Sequence, residues 1–179
     1  MNYRHRFQVR APLARVSDFH SKAASMSAIT PPPLSVRLHH APDVLGEGNE
    51  MDFSLGVGPI SIRWVARIEG VSPNGFTDRQ LRGPFAGWIH RHNFNALDNQ
   101  TTEVVDEITL RPRSHPLWWL VGMGMWAGLP ILFAFRASKT RDCCNDPNQW
   151  YVLLESIEVG KNHGSHPLRR EPCFLARSG

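Results

Sequence analysis

The opening residues, MNYRHRFQVRAPLARVSDFH, contain no apolar run of the kind a secretory signal needs, so the expected compartment is the cytoplasm. Cysteine is scarce. Cys143, Cys144 and Cys173 are an odd set with a vicinal pair, which excludes the framework of a disulfide-stapled secreted domain, and with His163 and His166 they match no familiar zinc spacing. An excess of one charge is lacking as well. The 20 Lys and Arg stand against 16 Asp and Glu, and the basic residues are scattered, so no nucleic-acid partner is expected. No nucleophile elbow and no phosphate-cradling glycine loop is present. What is there is a chain of 179 residues, 41% apolar, enough for one domain with a core and a small cavity.

Hydrophobic period organises most of it. YRHRFQV alternates as a first strand, and APLARVSDFHSKAASMSAI reads as one or two short helices with Leu13, Val16 and Phe19 on one side. In that helix Asp18 and His20 are expected to cap and pack. Three prolines, Pro31 to Pro33, then forbid helix, and Leu34 to Leu38 is extended. Strands near 50 to 56 and 59 to 69 form a hairpin around Gly58-Pro59, and further strands cover about 75 to 82, 86 to 97 and 101 to 111. The expected architecture is an antiparallel meander.

The strand faces carry the signal. In the fourth strand Ile60, Ile62, Trp64, Ala66 and Ile68 alternate against Ser61, Arg63, Arg67 and Glu69, so the apolar set points inward. In FAGWIHRHNFNAL the same alternation puts Trp88, His90, His92 and Phe94 on one face, two imidazoles among aromatics. Phe76, Asp78 and Gln80 share a face of the fifth strand, and Asp106 lies among Val104, Ile108 and Leu110 of the last. A plain two-residue turn at Asp98-Asn99 would set His92 opposite Val105 and mix apolar with polar faces. One more loop residue sets His92 opposite Asp106 and His90 opposite Ile108, and the pattern favours that pairing.

From Ser114 the period changes. SHPLWWLVGMGMWAGLPILFAFRASKTRD is helix-like and carries no charge from Leu117 to Phe135. Its length just reaches that of a membrane span, while Gly122, Gly124, Gly128 and Pro130 weaken a helix. The favoured reading is a helix laid across a curved sheet, and the alternative is peripheral membrane contact through Leu117 to Phe135. Residues 142–179 read as a C-terminal extension, partly disordered, with WYVLLESIEV its one periodic piece.

The order strand, helix pair, meander and long final helix resembles the START-like or SRPBCC superfamily. FQVRAPLARVSDFHSKAASMSAITPP is similar to that group's opening signature. FTDRQLRGPFAGWIHRHNF, then TTEVVDEI and LFAFR, resemble its coenzyme-Q-binding and polyketide cyclase-like subgroup. The resemblance covers about residues 3 to 141, taken as one domain over residues 1–141. It implies an α+β helix-grip fold, a curved antiparallel β-sheet wrapped around a long C-terminal α-helix. It also implies a cavity for a hydrophobic small molecule such as a lipid, an isoprenoid quinone or a polyketide, with no cofactor.

Trp64, Asp78, Gln80, Trp88, His90, His92, Phe94 and Asp106 are therefore the candidate ligand-binding residues, with the polar ones fixing a ligand's polar end. Alternatively they satisfy one another, since a buried unpaired polar group costs about 1–3 kcal/mol. If the protein is a cyclase or aromatase-like enzyme, His92 with Asp106 is the general base. The inward strand faces offer no Arg except Arg82 to steady an enolate. No metal is expected, because His90 and His92 lack a third ligand unless Asp106 supplies it.

Overall fold

A computed structural model of the chain describes residues 1–146. Its elements are β1 (Asn2–Val9), α1 (Leu13–Ser21), α2 (Ser25–Ala28), β2 (Leu34–His40), β3 (Glu50–Val57), β4 (Ile60–Ser72), β5 (Gly75–Arg82), β6 (Gly87–Ala96), β7 (Thr102–Arg111) and α3 (Pro116–Asn145). The strands make one antiparallel sheet in the order β1-β7-β6-β5-β4-β3-β2. Consecutive hairpins explain every neighbour except β1, so α1 and α2 carry the chain from one edge of the sheet to the other.

Period-two patterning sets the faces. Trp64, Ala66 and Ile68 of β4 are buried. The opposite face carries Arg63 paired to Asp52 at 2.6 Å and Arg67 paired to Glu50 at 3.0 Å, exposed pairs that contribute little to stability. β6 and β7 pair with His92 opposite Asp106 and His90 opposite Ile108, the register that keeps both apolar faces on one side. Gly75, with φ of +140°, passes so close to β6 that a Cβ would run into the carbonyl of His92. A side chain there would push β5 away from the two histidines.

α3 starts at Pro116, whose missing N–H is no loss in a first turn, and runs through the internal Pro130. Its C-terminal half buries Leu129, Phe133, Ala137, Cys143 and Cys144. Phe133 packs on the rings of Tyr3 and His5 in β1. Arg141 Nε donates to the carbonyl of Gln8 at 2.9 Å, and Arg15 Nη1 donates to that of Cys144 at 3.2 Å. The helix and its core continue to Asn145, because Cys143 and Cys144 fill the space beside Val9, Val16 and Phe19. The expectation of disorder for the rest of the extension, including WYVLLESIEV, lies outside the described residues.

The N-terminal half of α3 behaves otherwise. Leu117, Trp118, Trp119 and Leu120 are consecutive and all exposed, so more than one side of the helix faces away from the sheet. The whole helix is long and apolar enough to cross a membrane by length and composition, yet its second half is committed to the sheet.

Candidate ligand cavity and histidine–aspartate cluster

A cavity of about 560 Å³ lies between the concave face of the sheet, the α1–α2 segment and α3. That volume suits a drug-sized ligand. Phe53, Trp64, Ile68, Trp88, Leu129 and Phe133 are among its apolar walls. At its mouth stand Val57 and Ile60, exposed at the tip of the β3–β4 hairpin, with Val121, Met125 and Gly128 of α3.

The polar wall is built on three adjacent strands. Asp78 in β5 faces His90 across the sheet, while His90 and His92 stand two residues apart in β6 and Asp106 faces His92 from β7. Asp78 Oδ2 lies 3.0 Å from His90 Nδ1 and 3.3 Å from His92 Nε2. On the far side of the rings, Asp106 Oδ1 lies 3.1 Å from His90 Nε2 and 3.0 Å from His92 Nδ1. The first of these two is a hydrogen bond, and the second is too far off line to count as one. Trp88 Nε1–H donates to Asp78 Oδ1 at 3.3 Å. The rings of His90 and His92 are 3.8 Å apart, and Phe76 stacks on His92 at 4.4 Å.

Electrostatics divide these groups. Burial alone would push the His90 imidazole down, but the charges of Asp78 and Asp106 and their hydrogen bonds outweigh it and push it up to about 9. Burial alone would raise both carboxyls, and the two imidazoles instead hold them well below the usual carboxylate range. His90 is therefore a cation held between anions, an acid rather than a base. His20 goes the other way. Burial, with His92 and then Arg136 as positive neighbours, pushes it down to about 3 against the opposing pull of Asp106. It packs edge-on against Phe19 and over Phe94, and its Nε2 is buried with no partner among the described residues.

Trp64, Asp78, Trp88, His90 and His92 line the cavity as the strand faces require. Three other sequence candidates do not. Gln80 is drawn aside, its Nε2 donating to the carbonyl of Phe85 at 2.9 Å to brace the turn between β5 and β6. Phe94 is core beside Phe7 and Val104, and Asp106 sits behind the imidazoles rather than in the wall. Two residues were missed. His20, expected only to pack, lines the cavity; Asp18 instead pairs with Lys22 at 3.4 Å. Arg136 of α3 also lines it, whereas Arg82, the one inward Arg considered, is exposed. The signal for Arg136 was its spacing of three and seven residues from Phe133 and Leu129, which sets a cation on the buried face.

No family model matches the chain, and no curated protein matches it. Solved structures do. The chain is similar to the Zhui aromatase/cyclase from Streptomyces sp. R1128 with a TM-score of 0.61 at 15% identity, covering 81% of this chain and 93% of that one. It is similar to the di-domain ARO/CYC BexL from the BE-7585A biosynthetic pathway, with a TM-score of 0.60 at 16% identity over 82% of this chain and 48% of that one. Ara h 8.0201 aligns with a TM-score of 0.55 at 10% identity, over 78% and 97%. Together with the seven-stranded sheet and long final helix, these define the class: the protein has the helix-grip, START-like fold. At these identities the likeness is one of fold, and function has to be argued from the site.

Proposed function

We propose that the protein binds an apolar small molecule in this cavity, a lipid, isoprenoid quinone or polyketide-like compound, as a carrier, chaperone or sensor. One observation carries the reading. His20 Nε2, Ser25 Oγ, Trp64 Nε1 and Arg136 Nε are buried without a partner among the described residues, and all four residues belong to the cavity wall. Each such atom costs about 1–3 kcal/mol, so a cavity that gathers them is suited to a ligand with a polar end and an apolar body. Arg136 adds direction. Among the described residues its guanidinium has a ring contact with Phe133 at 5.2 Å and no ion pair or hydrogen bond, which favours an acidic or strongly polarised head group.

The test is native mass spectrometry of the full chain purified from its host, followed by denaturation and identification of what is released. A stoichiometric apolar compound is the expected result. A chain that arrives empty and takes up neither dodecanoate nor 2-naphthoate at millimolar concentration would sink the reading.

A second reading concerns the mouth, and the exposed run Leu117 to Leu120 favours it. Trp118 and Trp119 are exposed in the turn before Val121 and Met125, which line the cavity together with the exposed Val57 and Ile60. Tryptophan suits the membrane interface, being apolar in body and polar at one tip. In this reading the N-terminal half of α3 docks on a lipid surface while the second half stays on the sheet. Co-sedimentation with phosphatidylcholine/phosphatidylglycerol vesicles decides it: recovery wholly in the supernatant rules it out.

A further inference from the structure

The face of the histidine–aspartate cluster turned toward the cavity is built of ligand atoms. Asp78 Oδ2, His90 Nδ1 and His92 Nε2 belong to residues that line the cavity, and the three residues can bring one donor atom each within 4.8 Å of one another. The carboxylate oxygen stands 3.0 and 3.3 Å from the two imidazole nitrogens. A four-coordinate zinc ion with bonds of about 2.0–2.1 Å holds its ligands about 3.3 Å apart, so the observed edges need only small side-chain shifts.

Behind the rings stands the second feature. A single oxygen of Asp106, buried and outside the cavity wall, faces the remaining nitrogen of both histidines at 3.1 and 3.0 Å. Histidines that bind a metal usually give their other N–H to a carboxylate, which sets the tautomer and aims the ring. Here one carboxylate is placed to do this for two rings at once. His92 Nδ1 is buried and, though 3.0 Å from Asp106 Oδ1, is off line for a hydrogen bond.

Charge points the same way. Asp78 and Asp106 set two carboxylates in a mainly apolar cavity, a charge that needs a partner. In the ion-free protein the proton on His90 supplies part of it; a divalent cation takes the place of that proton and balances the two carboxylates, while nearby Arg136 offers its own charge to an anion bound beside the ion.

We propose that Asp78, His90 and His92 form a binding site for a divalent transition-metal ion, of the zinc or ferrous class, with Asp106 as the positioning residue for both histidines. Two imidazoles and one carboxylate suit either ion and leave coordination positions open. Those positions face the cavity, where an oxygen of a bound molecule can reach them. The inference stands apart from the identity of the cavity ligand and concerns the wall alone.

The experiment titrates Zn²⁺ and Co²⁺ into the full chain stripped with chelator. It reads bound metal by equilibrium dialysis and the Co²⁺ visible spectrum, with the imidazole proton resonances of the wild-type protein followed by NMR. One ion per chain is expected, together with Co²⁺-induced displacement or broadening of the His90 and His92 signals before those of other histidines. His92→Gln should weaken binding at least about 100-fold and Asp106→Asn by about 10–100-fold. A His163→Gln/His166→Gln/Cys173→Ser triple variant should bind as the wild type does. The proposal is overturned by dissociation constants weaker than about 1 mM, by His92→Gln binding unchanged, or by binding lost in the triple variant. If His92→Gln fails to fold, the wild-type resonances still decide, since unaffected His90 and His92 signals at saturating Co²⁺ sink it.

Discussion

The two halves of α3 meet fates opposite to their composition: the uncharged first half is the more exposed, and the second, which carries Arg136, Lys139, Arg141 and Asp142, is the one that packs on the sheet. From Leu129 onward the helix buries Leu129, Phe133 and Ala137 against the sheet and sets Arg136 beside the polar wall. Before Leu129 it leaves Leu117 and Leu120 more than 60% exposed and rims the cavity mouth. Hydrophobicity alone does not bury a helix. Burial needs a facing surface, and β1 supplies one from Trp126 onward, with Tyr3 edge-on to Trp126 and Tyr3, His5 and Phe7 meeting Phe133 and Arg141 of the second half. The first half has Gly122 buried against Phe85, where an added Cβ would crowd the ring, then open space beside Gly124 and Gly128.

The largest expected effect separates the halves directly. Phe133→Ala should destabilise the protein by about 3–5 kcal/mol in urea unfolding, because it removes a buried ring that packs on Tyr3 and His5. A loss under about 1 kcal/mol would mean that the second half is not anchored as described.

Next comes pH, measured on chelator-stripped protein, since the charged floor titrates while the mouth has nothing to titrate from Leu117 to Phe135. His90, raised to about 9 in the fold, contributes stability that is complete below its unfolded value near 6.5 and is lost as pH rises through 9. His20, lowered to about 3, contributes stability present above 6.5 and lost as pH falls toward 3. Asp78 and Asp106, both depressed, add to the acid loss below about 4. Stability should therefore peak near pH 6.5 and drop by about 2–4 kcal/mol on either side, with the acid limb shallower in His20→Phe. A flat profile from pH 5 to 9 contradicts the assignment of both histidines.

Arg136→Met gives a smaller effect of mixed sign. Removing a buried cation that is unpaired among the described residues should raise the stability of the ligand-free chain by about 1 kcal/mol and weaken dodecanoate binding about tenfold relative to 1-dodecanol. Equal weakening for acid and alcohol would assign Arg136 to packing alone. Smallest of all, Leu120→Ala should change stability by less than about 0.5 kcal/mol while lowering vesicle binding if the mouth docks on lipid.

The strands, their faces and the pairing of His92 with Asp106 were legible because a period of two leaves only one register that keeps β6 and β7 apolar on the same side. Asp78, His90 and His92 could be found in the same way. Gln80 could not be placed, since its face was right and its amide was claimed by a turn five residues on. His20 and Arg136 were illegible for another reason. Each is a lone polar residue at the end of an apolar helical stripe, and such a residue becomes part of a site only when its helix is laid over the histidines.

The sequence by itself determined the strands, their antiparallel meander and which four acidic and imidazole side chains lie on its inner face, because backbone alternation is local and repeats without regard to what packs above; the pairing of β1 with β7 came from the tertiary fold. Tertiary structure alone decided the rest. It brought α1 and α3 over that face, assigned His20 and Arg136 to the cavity, and placed Asp106 behind the imidazoles with Asp78 in front of them. Those are distances between segments far apart in the chain, set by which surfaces are left to bury, and no local pattern encodes them.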